Sequence, residues 1–312
     1  MPSTSAGLGR RSGMLAVGAV VSLLVLWPVL RLVYVVWTEG SRDLDEIFVR
    51  PGLDEAIVNT VLLATAVTVV AVPVGTLVAL GLRRADVPGL RCWRFAMLLP
   101  VLVPQFVLGY SWTHAYGRAG FTDTLFGLPW PSVLGPWGVW AVLVVNTVPL
   151  TYLLAAVGLA TRAEPNLERA ARASGAGASA VLRDVTLPLL RPSIAAASVL
   201  SFVLTLESFA IPQVMGTSAG FTTVTTRIYR DLSLGSDPLS FVEALALALL
   251  LVAITVIVVV PADLWLGPRL RVTRVAEPEG APIVSTRGGA GRWIAAGLGG
   301  YLALAVGVPS PP

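Results

Sequence analysis

The sequence predicts an all-α polytopic membrane protein. Charged residues make up 13% of the 312-residue chain, against about 25% in a soluble domain. Hydrophobic residues make up 55%, with a mean hydropathy of +0.79. Apolar runs long enough to cross a bilayer, at about 20 residues each, recur along the chain between short polar segments rich in arginine.

Residues 1–13 are small and polar, with Arg10 and Arg11 just ahead of the first apolar run, Met14–Trp37. A signal peptide also opens on positive charge. This run is long enough to span, however, and no small-residue cleavage site ends it. It is predicted as the first membrane helix, with Trp27, Tyr34 and Trp37 at one interface and Arg31 snorkelling near its end. Further spans are predicted at Ala56–Leu82, Phe95–Ala115, Trp137–Ala160, Ser193–Pro212 and Phe241–Leu266. A seventh run begins at Trp293 and stops at Val308, short for a span, behind the Gly- and Pro-rich linker Pro278–Gly291. The expected organisation is a tail, first helix and outer loop over 1–55, a main membrane domain over 56–266, a linker over 267–292, and the start of a truncated second half over 293–312.

Arginine placement predicts the orientation, because inward-facing loops collect positive charge. With the N-terminus in the cytoplasm, the inner segments hold 16 arginines and the outer segments five: Arg42, Arg50, Arg118, Arg227 and Arg230. The first outer loop is acidic instead, with Asp43, Asp45, Glu46, Asp54 and Glu55.

This orientation puts the stretch Asn166–Pro192 inside. It is charged and helix-prone, yet lies between two apolar blocks. Pro165 suits a first helical turn, and Glu164 and Glu168 favour the positive end of a helix. The helix runs through Ala170, Ala171 and Ala173, and Gly175 offers a stop. A second short helical patch, Ser179–Asp184, precedes Pro188 and Pro192, which are expected to bend the chain into the next apolar block. A basic helical hairpin on one face of a membrane is a docking surface by shape.

Little else in the chain points to chemistry. All 22 basic residues are arginine, and without a lysine the chain holds no P-loop for ATP. A single cysteine, Cys92, provides neither an internal disulfide nor a multi-cysteine metal site. Gly216-Thr217-Ser218-Ala219-Gly220 fits the nucleophile-elbow pattern, but that pattern needs a strand before it and a histidine base. The only histidine, His114, sits beside Trp112 and Tyr116 at a predicted interface. Glu207 stands apart: an ionisable residue inside a membrane block is costly and a functional candidate by default. Its structural alternative is a bond to serine, or to Arg227 or Arg230. Pro212, Pro149, Pro104, Pro100 and Pro73 mark breaks or kinks that can open backbone groups to a cavity. Asn146 and Gln105 complete the polar candidates for a translocation path.

The hairpin then becomes specific. It resembles the cytoplasmic EAA loop in the membrane subunits of binding-protein-dependent ABC importers, whose pattern is E-A-A, three residues, G, nine residues, then I-x-L-P. Ala170-Ala171, Gly175 and Val185-Thr186-Leu187-Pro188 reproduce that spacing. The chain departs from it at Arg169, where the pattern has glutamate, with Glu168 just before. A second run from Leu206, LESFAIPQVMGTSAGFTTVTTRIYRDL, is similar to the iron(III) subgroup, where E-x-F-x-x-P-x-x-x-G leads into T-T-x-I-Y.

The resemblance implies the type I importer fold over about 56–266, in a cell membrane. Ala170, Ala171, Gly175, Leu187 and Pro188 would couple to an ATP-binding cassette ATPase dimer, with Glu168, Arg169 or Arg172 in ion pairs at the groove's edge. ATP would be bound by that partner, with no cofactor and no metal on this chain. An extracytoplasmic binding protein would deliver cargo to outer loops such as 213–240. A second permease half or a second copy of this chain would complete the path, with lipid around it and no nucleic acid involved. The implied cargo is iron(III); related subgroups carry thiamine, putrescine/spermidine or phosphonates. From another class, an ion-coupled secondary transporter remains open, and needs buried carboxylates beyond Glu207.

Overall fold

The computed structural model describes residues 5–39, 50–84, 89–117, 120, 123–124, 133–162, 165–236, 238–270 and 290–307. The acidic positions 43–46, Glu164, and linker residues 271–289 lie outside these. Among the described residues every regular element is helical. In chain order they are α1 Ser5–Glu39, α2 Leu53–Arg84, α3 Leu90–Ala96, α4 Leu99–Leu102, α5 Gln105–Tyr116 and α6 Pro136–Arg162, then α7 Pro165–Ala173, α8 Ala178–Val181 and α9 Leu187–Leu206. The last three are α10 Val224–Leu234, α11 Pro238–Leu270 and α12 Ala290–Leu302.

Five stretches are long and apolar enough to cross a membrane: within α1, α2, α6 and α11, and Ala178–Leu206. The third predicted block is not one straight helix. It divides into Leu90–Leu102 and Gln105–Tyr116, bent by 94° at Val103–Pro104, and counts as a sixth crossing only if the bent pair is taken together. Pro104 cannot donate a backbone hydrogen bond, and it disfavours helical geometry at Val103, which is extended.

The fifth block also differs from expectation at both ends. Pro188 and Pro192 do not interrupt the helix ahead of the membrane block. A π-helical turn, Leu182–Thr186, joins α8 to α9 without a break. Pro188 falls in the first turn of α9, where a missing N–H is tolerated. At the other end the helix stops at Leu206 rather than running to Pro212, which opens a separate π-helical turn to Gly216. The short seventh run is helical over Ala290–Leu302 and closes in a π-helical turn, Ala303–Gly307.

The chain divides into two compact units, residues 55–226 with 254–312, and residues 1–54 with 227–253. In the larger unit α6 is the central helix, 61% of its most apolar window being buried. With lipid as apolar as any core, helices in a membrane associate by close packing and by hydrogen bonds across the contact. Both occur here. A Cβ on Gly158 of α6 would lie 2.3 Å from the Ser193 Oγ of α9, so only glycine permits that approach. The Thr151 hydroxyl of α6 donates to the Ala71 carbonyl of α2 at 2.8 Å. The segment from α12 joins the same core, with Leu298 and Ala305 buried. The Tyr301 hydroxyl donates to the Val145 carbonyl at 2.7 Å.

The smaller unit contains an ionic network that the sequence reading missed. Glu243, in the first turns of α11, is fully buried. It accepts from Arg50 at 2.9 Å and from Arg227 at 2.5 Å. Arg227 also donates to the Pro51 carbonyl and lies 3.9 Å from Asp231. Arginine suits a buried site of this kind because its planar fork satisfies several acceptors at once. Burial first, and then the Glu243 carboxylate, push the Asp231 carboxyl above its ordinary range. The Arg227, Arg230 and Arg50 guanidinium groups pull it back down.

Candidate functional site

Two places in the larger unit gather the residues singled out in the sequence. The first is the hairpin. Helix α7 ends where expected. The Ala176 N–H donates to the Ala171 carbonyl and the Gly175 N–H to the Arg172 carbonyl, the paired closing bonds of a Schellman cap. Such a cap needs a left-handed residue, and Gly175 has φ of 88°.

Glu168 lies inside the hairpin rather than at its surface. It is 3% exposed, and its Oε1 accepts from the Thr186 hydroxyl at 2.8 Å. Thr186 closes the π-helical turn and is itself fully buried. A charged acceptor strengthens such a bond, and removing one partner leaves the other desolvated. The pair therefore braces α7 against the start of the α8–α9 span. Arg169 points outward, its guanidinium 3.5 Å from the Asn166 side-chain oxygen. The outward face carries Leu167, Arg169, Ala170, Ala173 and Gly175, and Arg172, Leu187 and Pro188 are partly covered.

The second place is where the membrane segments break. A helical N–H normally bonds the carbonyl four residues earlier, so each proline leaves one carbonyl without its partner. In a membrane that loss must be made good inside the protein. The carbonyl four residues before Pro104 is that of Pro100, and the Asn146 side chain donates to it at 3.4 Å. The Val145 carbonyl, four before Pro149, takes the Tyr301 hydroxyl. The Ser208 carbonyl, four before Pro212, takes the Thr225 hydroxyl at 2.8 Å.

The breaks at Pro104 and after Leu206 also meet each other. Gln105, the first residue of α5, donates through Nε2 to the Asn146 side-chain oxygen at 3.1 Å. Its own Oε1 accepts from the Ser208 hydroxyl at 3.2 Å. Gln105 and Asn146, 41 positions apart in the chain, are therefore one bonded pair. Ser208 links them to the second break, and its signal in the sequence is its position beside Glu207. Pro212 is buried at the start of its turn. Glu207 caps the end of α9, and its side chain is exposed. Arg227, one of its expected partners, is held by Glu243 instead.

Comparison with known proteins agrees with this architecture. Residues 71–272 match the model of the binding-protein-dependent transport system inner membrane component family. The chain is 25% identical over 272 residues to the ferric transport system permease protein FbpB of Actinobacillus pleuropneumoniae, covering 82% of this chain and 39% of that protein. It is 34% identical over 211 residues to the molybdenum transport system permease protein ModB of Mycobacterium bovis, covering 67% of this chain and 78% of that one. The chain thus spans well under half the length of the ferric permease it matches. Among solved structures, a bacterial ABC transporter involved in alginate import aligns with a TM-score of 0.64 at 18% identity, over 84% of this chain and 96% of that one. The fold is that of an ABC importer permease, and the chain belongs to the family of binding-protein-dependent transport system inner membrane components.

Proposed function

We propose that this chain is a permease subunit of an ATP-driven importer and lines part of the translocation path. A separate ATPase dimer would bind the hairpin Asn166–Pro192. The observation that carries this reading is the braced hairpin. The buried Glu168–Thr186 bond joins α7 to a continuous run, Ala178–Leu206, that reaches the break at Glu207. A push on the outward face, at Ala170, Ala173 and Gly175, would then pass into a continuous helix rather than be absorbed in a loop. Because Glu168 is used internally, the exposed Arg169 is the charge we assign to the contact with the ATPase. ATP belongs to that partner, since the chain has no lysine for a P-loop; no cofactor is assigned to this chain.

The arginine split places the hairpin and the N-terminus in the cytoplasm, in a cell membrane. An extracytoplasmic binding protein would deliver cargo on the other side. A second permease half or a second copy would complete the path. Iron(III) is the proposed cargo, supported by the ferric permeases among the relatives and by the run from Glu207 to Tyr229.

Reconstitution into proteoliposomes with the ATPase and binding protein tests this. Uptake that requires ATP, and is absent under an ion gradient alone, is expected. Uptake by this chain on an ion gradient without the ATPase would establish a secondary transporter instead.

A further inference from the structure

We propose that α10 is a lipid-binding helix of the membrane interface, its exposed Tyr229, Leu232 and Leu234 lying among headgroups where α11 enters the bilayer. The proposal goes beyond the importer reading and depends only on α11 crossing a membrane. A helix packed on a protein in water buries its apolar side chains and exposes its charged ones. Over its second half α10 does the reverse. Arg227 and Asp231, four positions apart, are buried, whereas Tyr229 and Leu232 are exposed. Leu232 is 52% exposed, and Leu234, at the helix end, is 77% exposed.

The depth of α10 follows from α11. Glu243 and the exposed Asp263 bracket 19 uncharged residues, 244–262. At about 1.5 Å per residue these rise about 29 Å, and the hydrocarbon layer is about 30 Å thick. The two carboxylates therefore mark the two edges of that layer. Helix α10 is tied to α11 at the first mark, because Arg227 donates to Glu243. The turn between the helices is tight as well. A Cβ on Gly235 would lie 2.3 Å from the Asp231 carbonyl oxygen and 2.7 Å from the Ser240 Cβ. Glu243 and its arginines thus hold α10 at the boundary between hydrocarbon and headgroups.

Lipid is the occupant that fits the outward residues there. Only 11% of the most apolar window of α11 is buried, and Phe241 in its first turn is exposed. That helix already presents its sides to lipid at the same level. Tyrosine is enriched at this boundary, where an apolar ring carries a polar tip. Arg230, half exposed, can rest its stem on apolar surface and turn its guanidinium to the headgroups. An apolar face with polar neighbours, lying flat at the interface, is the pattern by which amphipathic helices bind membranes.

A dye at one position reads what covers this face. The full chain carrying Cys92→Ala and Leu232→Cys is labelled with an environment-sensitive fluorophore and reconstituted into phosphatidylcholine vesicles. The same dye at Arg169→Cys, on the exposed face of the hairpin, is the reference. Leu232 is exposed, so its exchange spares the core, and Leu234→Cys repeats the measurement. Phosphatidylcholine bearing a nitroxide near its headgroup is expected to remove most of the emission at Leu232→Cys and Leu234→Cys, and much less at Arg169→Cys. Emission at Leu232→Cys should also be shifted to the blue of the reference. Lipid quenching no stronger than at Arg169→Cys would overturn the proposal. Iodide quenching would then show the face to be in water, and protection from both quenchers would show it covered by protein, such as a second copy of this chain.

Discussion

The Asn146 amide donates to the Pro100 carbonyl at 3.4 Å, in the place of the backbone donor that Pro104 lacks. The contact lets an interrupted segment stay buried, because the orphaned acceptor is met from a continuous neighbouring helix. A test follows from its logic. Asn146→Leu should destabilise the chain by about 1 kcal/mol in detergent, the usual worth of such a bond between membrane helices. In a Pro104→Ala background, where residue 104 regains its N–H, that cost should shrink. Thermal unfolding of the double-mutant cycle measures it. Equal costs in both backgrounds would show that Asn146 is not replacing the proline's donor.

The Glu168–Thr186 bond separates folding from docking on one hairpin. Glu168→Ala should cost about 1–3 kcal/mol, because it removes the charged acceptor that the buried Thr186 hydroxyl bonds at 2.8 Å. Arg169→Ala, at an exposed position, should change stability by no more than about 0.5 kcal/mol. The docking role predicts the opposite ranking at the interface: Arg169→Ala weakens ATPase association while leaving the unfolding midpoint in place. Unfolding curves set beside pull-down yields decide the matter.

Glu243 is expected to be the most sensitive acid in the smaller unit. Replacing it with glutamine leaves Arg50 and Arg227 without the carboxylate they share. Breaking a buried pair from one side costs about 3–5 kcal/mol. Asp231→Asn should cost far less. Chemical denaturation of the two variants in detergent, compared with wild type, tests the ranking.

Asp231 also predicts a pH dependence. Its carboxyl in the folded chain lies above the ordinary value of 3.8, so the folded state holds this proton more tightly than the unfolded state. The penalty of keeping it ionised is full above the raised value and disappears as pH falls below 3.8. Wild type should therefore gain stability relative to Asp231→Asn as pH drops from neutral into the acidic range. A difference that is flat or reversed would contradict the assignment.

Much of this architecture was legible in the sequence because it depends on local signals. Apolar runs gave the spans, and the rigid spacing from Ala170 to Pro188 gave the hairpin, including its turn at Gly175. Other features depend on residues far apart in the chain. Which group meets a proline's orphaned carbonyl is one of them; Thr225 and Tyr301 are no neighbours of Pro212 and Pro149 in sequence. The π-helical turn at Leu182–Thr186 hid the continuity of the fifth span, because Pro188 and Pro192 read locally as bends. Glu243 carried the same signal as Glu207, a carboxylate at the edge of an apolar block. Only the fold shows that one is fully paired and the other open.

The central claim is that the Gly175 hairpin couples this chain to an ATPase, and co-purification tests it most directly. Gly175 has φ of 88°, which proline cannot adopt, so Gly175→Pro should destroy the cap while leaving the membrane spans intact. The tagged wild-type chain should bring an ATP-binding cassette ATPase with it from membranes, and Gly175→Pro, inserted at the same level, should bring none. Recovery of the ATPase at wild-type yield with Gly175→Pro would contradict the account.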